Sequence, residues 1–248
     1  MRTQLSATLV LLFPCGSAVA QPNLPKAEAI LDKFVAATGG EAAYRRHHSE
    51  TISGTVEIAG TGITGTVLTC HAEPDYSYSE MNIPMFGKAS QGFDGTVAWT
   101  LSPTGAKILE GDERAMHRLA SRMNSEIHWR EAYKRAETVG TEEIDGKLAY
   151  AVAETPNDAK PITVYYDVRS GLMVRMILKQ QTATSDTRVE VELGDYRWVD
   201  GVRVPFEVVN VAGANRFVIR RNEFHFNQEP PTGIFELPAE VKALLPAR

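Results

Sequence analysis

The stretch WVDGVRVPFEV, residues 198–208, contains the pattern that decides the fold. Beyond its Asp-Gly pair every second residue is apolar, an alternation typical of a half-buried strand. The pair itself, Asp200-Gly201, has the composition of a two-residue hairpin turn, because both turn residues must accept a positive φ angle. The stretch therefore predicts two antiparallel strands joined by a tight turn. The alternating apolar residues are Val202, Val204, Phe206 and Val208.

The same alternation recurs on both sides of this stretch. Short turns at 60–62 and at Ser170-Gly171 separate the runs, and strands joined by tight turns pair antiparallel. A twisted antiparallel sheet of about ten strands curls toward a barrel. The sequence thus predicts a mainly β protein with helices (α+β), built on one long antiparallel sheet. The further runs are TISGTVEIA (51–59), TVAWTL (96–101), KLAYAV (147–152), ITVYYDV (162–168) and RVEVEL (188–193).

Asp-Gly pairs occur three times between such runs, beginning at Asp94, Asp145 and Asp200. Three carboxylates invite a catalytic interpretation. Turn chemistry, however, accounts for both residues of each pair, since Asp and Gly both tolerate positive φ. We therefore expect three hairpin corners at the edges of the sheet, and no catalytic residue is assigned.

Two helices interrupt the strand pattern. An apolar stripe at Ile30, Leu31, Phe34 and Val35 predicts a helix over 25–38 that ends at a Gly-Gly pair. A second helix is expected to begin with Asp112 as its N-cap. Both need an apolar surface to cover, so we expect a half-open β-barrel with these two helices on its concave side. The apolar stripe of the second helix is Met116, Leu119, Ala120, Met123 and Ile127.

The first twenty residues, MRTQLSATLVLLFPCGSAVA, have the order of a secretory signal peptide: a basic start, an apolar run and a small-residue end. We expect cleavage after Ala20, export to the periplasm or medium, and a single half-barrel domain over 21–248. Lipid anchoring at Cys15 is not expected, because Phe-Pro precedes it instead of small residues. Cleavage leaves Cys70 as the only cysteine, which predicts a buried free thiol.

Composition argues against several kinds of partner. The net charge is −5 and no block of Lys and Arg stands out, so neither nucleic acid nor an anionic membrane surface is an expected partner. His117 and His128 could share a helix face, but no third ligand accompanies them, and no metal or other cofactor is predicted. No GxSxG motif follows a strand.

An unusually apolar loop, MNIPMFG (81–87), suggests where a ligand could bind. Exposed apolar loops commonly mark a binding surface, and methionine adapts to varied apolar partners. Two interpretations stay open, a ligand pocket and a filled core beneath the helical lid. We expect one shared cavity, with no metal, lined by these candidate ligand-binding residues: Met81, Met85, Phe86, Trp99, Met116, Leu119, Met123 and Trp129.

Six stretches in order along the chain carry a resemblance: ILDKFVAATGGEAAY, GFDGTVAWT, YKRAETVGTEEIDGKLAYAV, YYDVRSGLMVRM, DYRWVDGVRVPFEV and NQEPPTGIFELP. Together the set resembles exported bacterial proteins related to the LolA/LolB-type lipoprotein carriers. The resemblance implies a half-barrel with a helical lid that binds a lipid, an acyl chain or a lipoprotein anchor without catalysis. The carriers' functional residues do not map here by motif, so none is assigned.

Three alternatives to a carrier remain. The domain could serve envelope interactions without a ligand, or accompany a peptidase as an accessory domain. It could also be a hydrolase that uses a carboxylate or a His-assisted nucleophile. Polar titratable groups inside the cavity would favour the hydrolase, and an apolar cavity would favour the carrier.

Overall fold

The computed structural model describes residues 24–181 and 186–246, which form thirteen strands and five α-helices. None of the helices in these ranges is long and apolar enough to cross a membrane. The helices are α1 (Ala27–Ala37), α2 (Glu41–Tyr44), α3 (Gly111–Ser121), α4 (Trp129–Ala132) and α5 (Ala239–Lys242), with a 3-10 helix at Ser125–His128. The strands are β1 (Ser49–Ile58), β2 (Ile63–Ala72), β3 (Tyr76–Ile83), β4 (Gly87–Asp94), β5 (Ala98–Ser102), β6 (Gly105–Ile108), β7 (Tyr133–Ile144), β8 (Lys147–Pro156), β9 (Ile162–Asp167), β10 (Met173–Gln181), β11 (Asp186–Val199), β12 (Val202–Ala212) and β13 (Asn215–Phe226).

All thirteen strands belong to one antiparallel sheet, in the order β6-β5-β4-β3-β2-β1-β13-β12-β11-β10-β9-β8-β7. The pairing of β1 with β13 joins the first strand of the chain to the last. The edge strands, β6 and β7, are consecutive in sequence, so the segment between them must cross from one edge of the sheet to the other. This crossing segment, residues 109–132, holds α3, the 3-10 helix and α4. The predicted half-open barrel with helices on its concave side is confirmed.

The sheet has more strands than the alternation predicted. Strand β4, with the sequence GKASQGFD, shows why, because it has almost no apolar alternation to mark it. Its place in the sheet comes from backbone pairing with β3 and β5. Strands of this kind are visible only in the tertiary structure.

Two of the three Asp-Gly pairs form the predicted hairpins. Asp145 and Asp200 have φ angles of 49° and 45°, and the glycine that follows each of them also has a positive φ angle. At both corners the residues that flank the pair are cross-strand partners, so the loop has two residues.

The expected two-residue turn is wrong at Asp94. Only Gly95 of that pair has a positive φ, 88°. The Asp94 carboxylate instead accepts hydrogen bonds from the backbone N–H groups of Thr96, at 2.8 Å, and Val97, at 2.7 Å. This side-chain turn closes a longer loop before β5.

Helix α1 confirms the predicted first helix and lies over strands β8 and β9. Its buried residues include Ile30, Leu31 and Phe34, the stripe read from the sequence. The Phe34 and Tyr166 rings approach to 5.4 Å between centroids. This cluster fills the concave side at one end of the sheet. The sheet and α4 contribute Val152, Ile162, Val164, Tyr166 and Trp129.

The second helix is shorter than predicted, and its N-cap position is Glu110 rather than Asp112. It ends at Ser121, because Arg122 takes an extended backbone and Asn124 a left-handed one with φ 55°. Met123 therefore lies beyond α3 and off its stripe.

The inner face of β3–β5 is the face on which α3 lies. The register aligns Ser77, Phe93 and Ala98 across the three strands, and cross-strand partners share a face. The Ser77 hydroxyl oxygen lies 2.6 Å from that of Ser121 at the end of α3. All four side chains are buried.

The outer face of the same strands is covered by the C-terminal segment. Tyr78, Gly92 and Trp99 align in the neighbouring row, which points to the opposite face. Trp99 is 1% exposed and packs with Val241 of α5. The expectation that Trp99 faces the same cavity as the second helix is therefore wrong. The rest of the covering segment is Ile234, Phe235 and Leu237.

Cys70 is the buried free thiol that the sequence predicted. It lies on β2, has no exposed surface and forms no disulfide. Burial raises the pKa of its thiol, so the reactive thiolate is disfavoured.

Candidate functional site

Polar as well as apolar contacts fasten the crossing segment to the rest of the protein. Arg114 donates to the backbone oxygen of Thr96 at 3.0 Å, near the start of α3. Arg130 of α4 donates to both carboxylate oxygens of Asp32 on α1, at 2.8 Å each. Within α3 itself only Ser121 is buried. The segment thus covers the mouth of the half-barrel, and its apolar contacts with the sheet and α1 lie mostly outside α3.

An outer cavity of about 670 Å³ lies beside the crossing segment. It is bounded by α3 and α4, by the turn between β2 and β3, and by the loop after β8. This volume falls in the range of pockets for small organic ligands. Its apolar lining includes Pro74, Ala115, Leu119, Met123, Ala132 and Pro156.

Charged side chains surround the apolar lining of the outer cavity. Arg122 donates to Glu131 at 2.5 Å, and Arg118 donates to Asp158 at 3.0 Å. The Arg118 and Asp158 side chains are 51% and 64% exposed, so their ion pair stabilises little. Arg118 could therefore exchange Asp158 for an anionic group of a ligand.

A smaller inner cavity of about 150 Å³ lies beneath residues 120–126, inside the half-barrel. Arg122 and Met123 line both cavities, so they form the wall between them. The inner cavity is polar on one side and aromatic or aliphatic on the other. Its remaining lining includes Tyr44, Glu50, His71, Asn124, Ser125, Glu126, Val202, Val204 and Phe226.

Two glutamates of the inner cavity have opposite electrostatic environments. Burial alone would raise the pKa of Glu50, but the hydrogen bond and charge of His71 outweigh it, and the pKa is lowered. Nδ1 of His71 donates to Glu50 at 2.6 Å. Burial, aided by the negative charge of Glu50, raises the pKa of Glu126. Glu50 is thus the more acidic carboxyl group and Glu126 the more readily protonated one.

A third acid lies deeper, beneath α1. Glu154 is 2% exposed and accepts a hydrogen bond from the Tyr166 hydroxyl at 2.8 Å. Burial raises its pKa to about 7. It belongs to the filled part of the concave side and borders neither of the two cavities described here.

The structure brings only part of the predicted site together. Leu119 and Met123 share the outer cavity. Met116 and Trp129 pack instead with the α1 cluster, and Trp99 is buried on the outer face. Whether any of these side chains contacts a ligand stays a prediction.

The apolar loop is placed at a hairpin tip away from the crossing segment. Met85 is 75% exposed and Phe86 is 59% exposed. Met81, on β3, is partly buried. The loop joins β3 to β4 and contributes to neither the outer nor the inner cavity. The single cavity expected from the sequence is therefore replaced by separate cavities, and of the predicted residues only Leu119 and Met123 line the outer or the inner one.

Sequence reasoning missed the polar lining of the inner cavity. The position of Glu50 could have revealed this lining. Glu50 lies two residues before Ile52 on β1, so both side chains point to the inner face. Its cross-strand partner on β2 is His71. A charged pair at apolar positions of a strand indicates a polar interior. Within the described residues, no group of three or more His, Cys, Asp or Glu is placed to hold a metal ion.

No protein-family model matches the chain, and no curated protein matches it in sequence. Solved structures do match. A LolA superfamily protein from Nitrosomonas europaea has a TM-score of 0.56 at 11% identity, covering 86% of this chain and 99% of its own. The fold is LolA-like. A DUF1329 family protein from Desulfovibrio piger gives 0.55 at 12% identity, covering 85% and 97%.

A third similar structure is an outer membrane lipoprotein-sorting protein domain from Vibrio parahaemolyticus. It gives a TM-score of 0.53 at 10% identity and covers 84% of this chain and 95% of its own. The resemblance read from the sequence is thus confirmed for the fold. At these identities the likeness concerns the fold alone.

Proposed function

We propose that this protein is an exported, non-catalytic binding protein for an amphipathic molecule, such as a lipid, an acyl chain or the anchor of a lipoprotein. The observation that carries the proposal is the outer cavity, where an apolar floor lies next to two arginines. An acyl chain would cover Leu119 and Met123, and an acidic group would meet Arg118 or Arg122. An amphipathic ligand of this kind needs an apolar surface for its chain beside a charged surface for its acidic group.

The fold supports the same function. One structure of similar fold is an outer membrane lipoprotein-sorting protein domain. Export is proposed from the N-terminal pattern, which lies outside the described residues. Protein recovered from the envelope of an expressing bacterium is expected to begin at Gln21, and retention of residues 1–20 would contradict export.

Binding can be tested with dansyl-undecanoic acid, whose fluorescence increases in an apolar site. Leu119→Asp should weaken binding at least tenfold, because it places a charge on the apolar floor and opposes the acid of the probe. Leu148→Asp is the matched control, since Leu148 is 52% exposed at the end of β8 opposite the outer cavity.

The unmodified protein and the Leu148→Asp variant should bind the probe equally. If the unmodified protein gives no fluorescence increase, the carrier proposal fails and the interaction domain without a ligand is favoured. Equal binding by both variants would place the site elsewhere than the outer cavity.

A further inference from the structure

The inner cavity is rich in hydrogen-bond acceptors. Glu50 contributes a carboxylate from β1, Glu126 contributes a carboxyl group from the crossing segment, and Ser125 contributes a hydroxyl group. The Asn124 side-chain nitrogen is already committed to the backbone oxygen of His47 at 2.8 Å, which leaves its amide oxygen as a further acceptor. The cavity therefore presents oxygen atoms from two directions, the sheet and the segment that covers it.

Glu126 has no side-chain partner within the part of the chain that the structure describes. Its carboxyl group has a hydrogen bond only with its own backbone N–H group. Glu50, by contrast, is held by His71. Glu126 is partly buried, and a partly desolvated carboxyl group without a partner costs free energy unless water or a ligand binds to it.

The cationic or protonatable side chains near the cavity are already paired or lie outside it, and His71, which lines it, donates to Glu50. Arg122 lines it but pairs with Glu131 on the outer side. Arg221 does not line it and donates to the backbone oxygen of Pro205 at 2.9 Å. The two carboxyl groups of the cavity would therefore repel an anion and attract a cation. The rings of Tyr44 and Phe226 also line the cavity, and aromatic faces favour cations.

Volume limits what the inner cavity can hold. Its 150 Å³ correspond to about five water molecules at ~30 Å³ each. An aminoethyl group fits this space, but a whole phospholipid head group does not. Because Arg122 and Met123 separate the inner from the outer cavity, a bound molecule could place its phosphate near Arg122 and its chain beyond Met123.

We propose that the inner cavity binds a primary ammonium group, held between Glu50 and Glu126. The inference rests on the proposed function, since the ammonium group would be the polar end of the amphipathic ligand. Its three N–H donors match the acceptor oxygens of the two carboxyl groups and of the Ser125 hydroxyl. A trimethylammonium group carries no N–H donor and is too bulky to satisfy the same acceptors.

The site can be tested apart from any lipid by titrating the protein with ethylammonium and following backbone amide shifts by NMR. Shifts should appear at residues 122–126, and acetate and tetramethylammonium should cause none there. Glu126→Gln should weaken ethylammonium binding about tenfold, because it removes a charged hydrogen-bond acceptor but preserves shape. The matched control is Glu113→Gln, because Glu113 lies in the first turn of α3 and pairs with Lys107 outside both cavities.

Lysophospholipids with one acyl chain and different head groups connect the site to the carrier function. The ethanolamine form should bind more tightly than the choline and glycerol forms, and Glu126→Gln should abolish that preference. Equal binding of all three, or no ethylammonium shifts at residues 122–126, overturns the ammonium site while leaving the carrier proposal intact. Ethylammonium binding without any lysophospholipid binding supports the ammonium site and overturns the carrier proposal.

Discussion

Gly92 fixes the packing of the outer face from a single position. A Cβ atom there would lie 2.8 Å from Cζ2 of Trp99 and 2.8 Å from the backbone oxygen of Ser77. These distances are too short for ordinary van der Waals contact. Glycine thus allows the indole ring to approach the backbone of β4 closely.

Gly92→Ala should lower the free energy of unfolding by about 1–3 kcal/mol, because Trp99 or the strand must shift. Urea unfolding measures the change. Gly140→Ala is the control, since a Cβ at Gly140 would meet nothing within 4 Å. A loss as large at Gly140 as at Gly92 would contradict the close approach of Trp99.

Glu154 makes stability depend on pH. Its pKa rises from 4.5 to about 7 on folding, chiefly through burial. The folded state therefore binds the proton more tightly than the unfolded state. The resulting stabilisation is complete below pH 4.5 and is lost as the pH rises to about 7.

Glu154→Gln should remove this loss, which amounts to at most about 3 kcal/mol. The variant should therefore gain stability relative to the unmodified protein as the pH rises from 5 to 8, an interval of about three units over which urea unfolding can be followed. Gln keeps an oxygen that accepts from the Tyr166 hydroxyl. Glu143→Gln, on the exposed side of β7, is the control, and an identical pH profile for both variants would contradict the assignment.

At the scale of elements, the sequence predicted what local chemistry determines. The stripe of α1 and the turns at Asp145 and Asp200 depend on residues close in sequence. The end of α3 does not, because the apolar spacing of Met116 to Met123 continues past the break. What ends the helix is Asn124, whose left-handed backbone is held by a long-range hydrogen bond to His47.

Asn124→Ala should destabilise the protein by about 1–3 kcal/mol, because it leaves the buried His47 oxygen unpaired and places alanine at a positive φ. Asn124→Gly loses only the hydrogen bond, because glycine adopts a positive φ without strain. Its loss of stability should therefore be smaller. Thermal unfolding of both variants gives the comparison. A larger loss for glycine than for alanine would mean that backbone strain at this position is unimportant.

At the scale of the whole molecule, alternation alone could not tell which face of a strand is inner. The run around Trp99 has apolar residues on both faces, because α3 covers one and the C-terminal segment the other. The sequence therefore predicted a buried Trp99 but placed it on the inner face of the sheet instead of the outer face. The inner cavity was missed for a related reason, since Glu50 and Glu126 meet only when the crossing segment spans the open sheet.

The C-terminal segment should accordingly be part of the folding unit. Val241 has no exposed surface and packs with Tyr78 and Trp99, whereas Leu244, three residues later, is 50% exposed.

Val241→Ala should lower the free energy of unfolding by about 1–3 kcal/mol and increase acrylamide quenching of Trp99. Leu244→Ala should change stability by less than about 0.5 kcal/mol. Both should unfold in a single transition, because the outer face of β3–β6 has no other cover among the described residues. A separate early transition in Val241→Ala, with the rest of the protein unchanged, would instead make the segment an independently detachable cover.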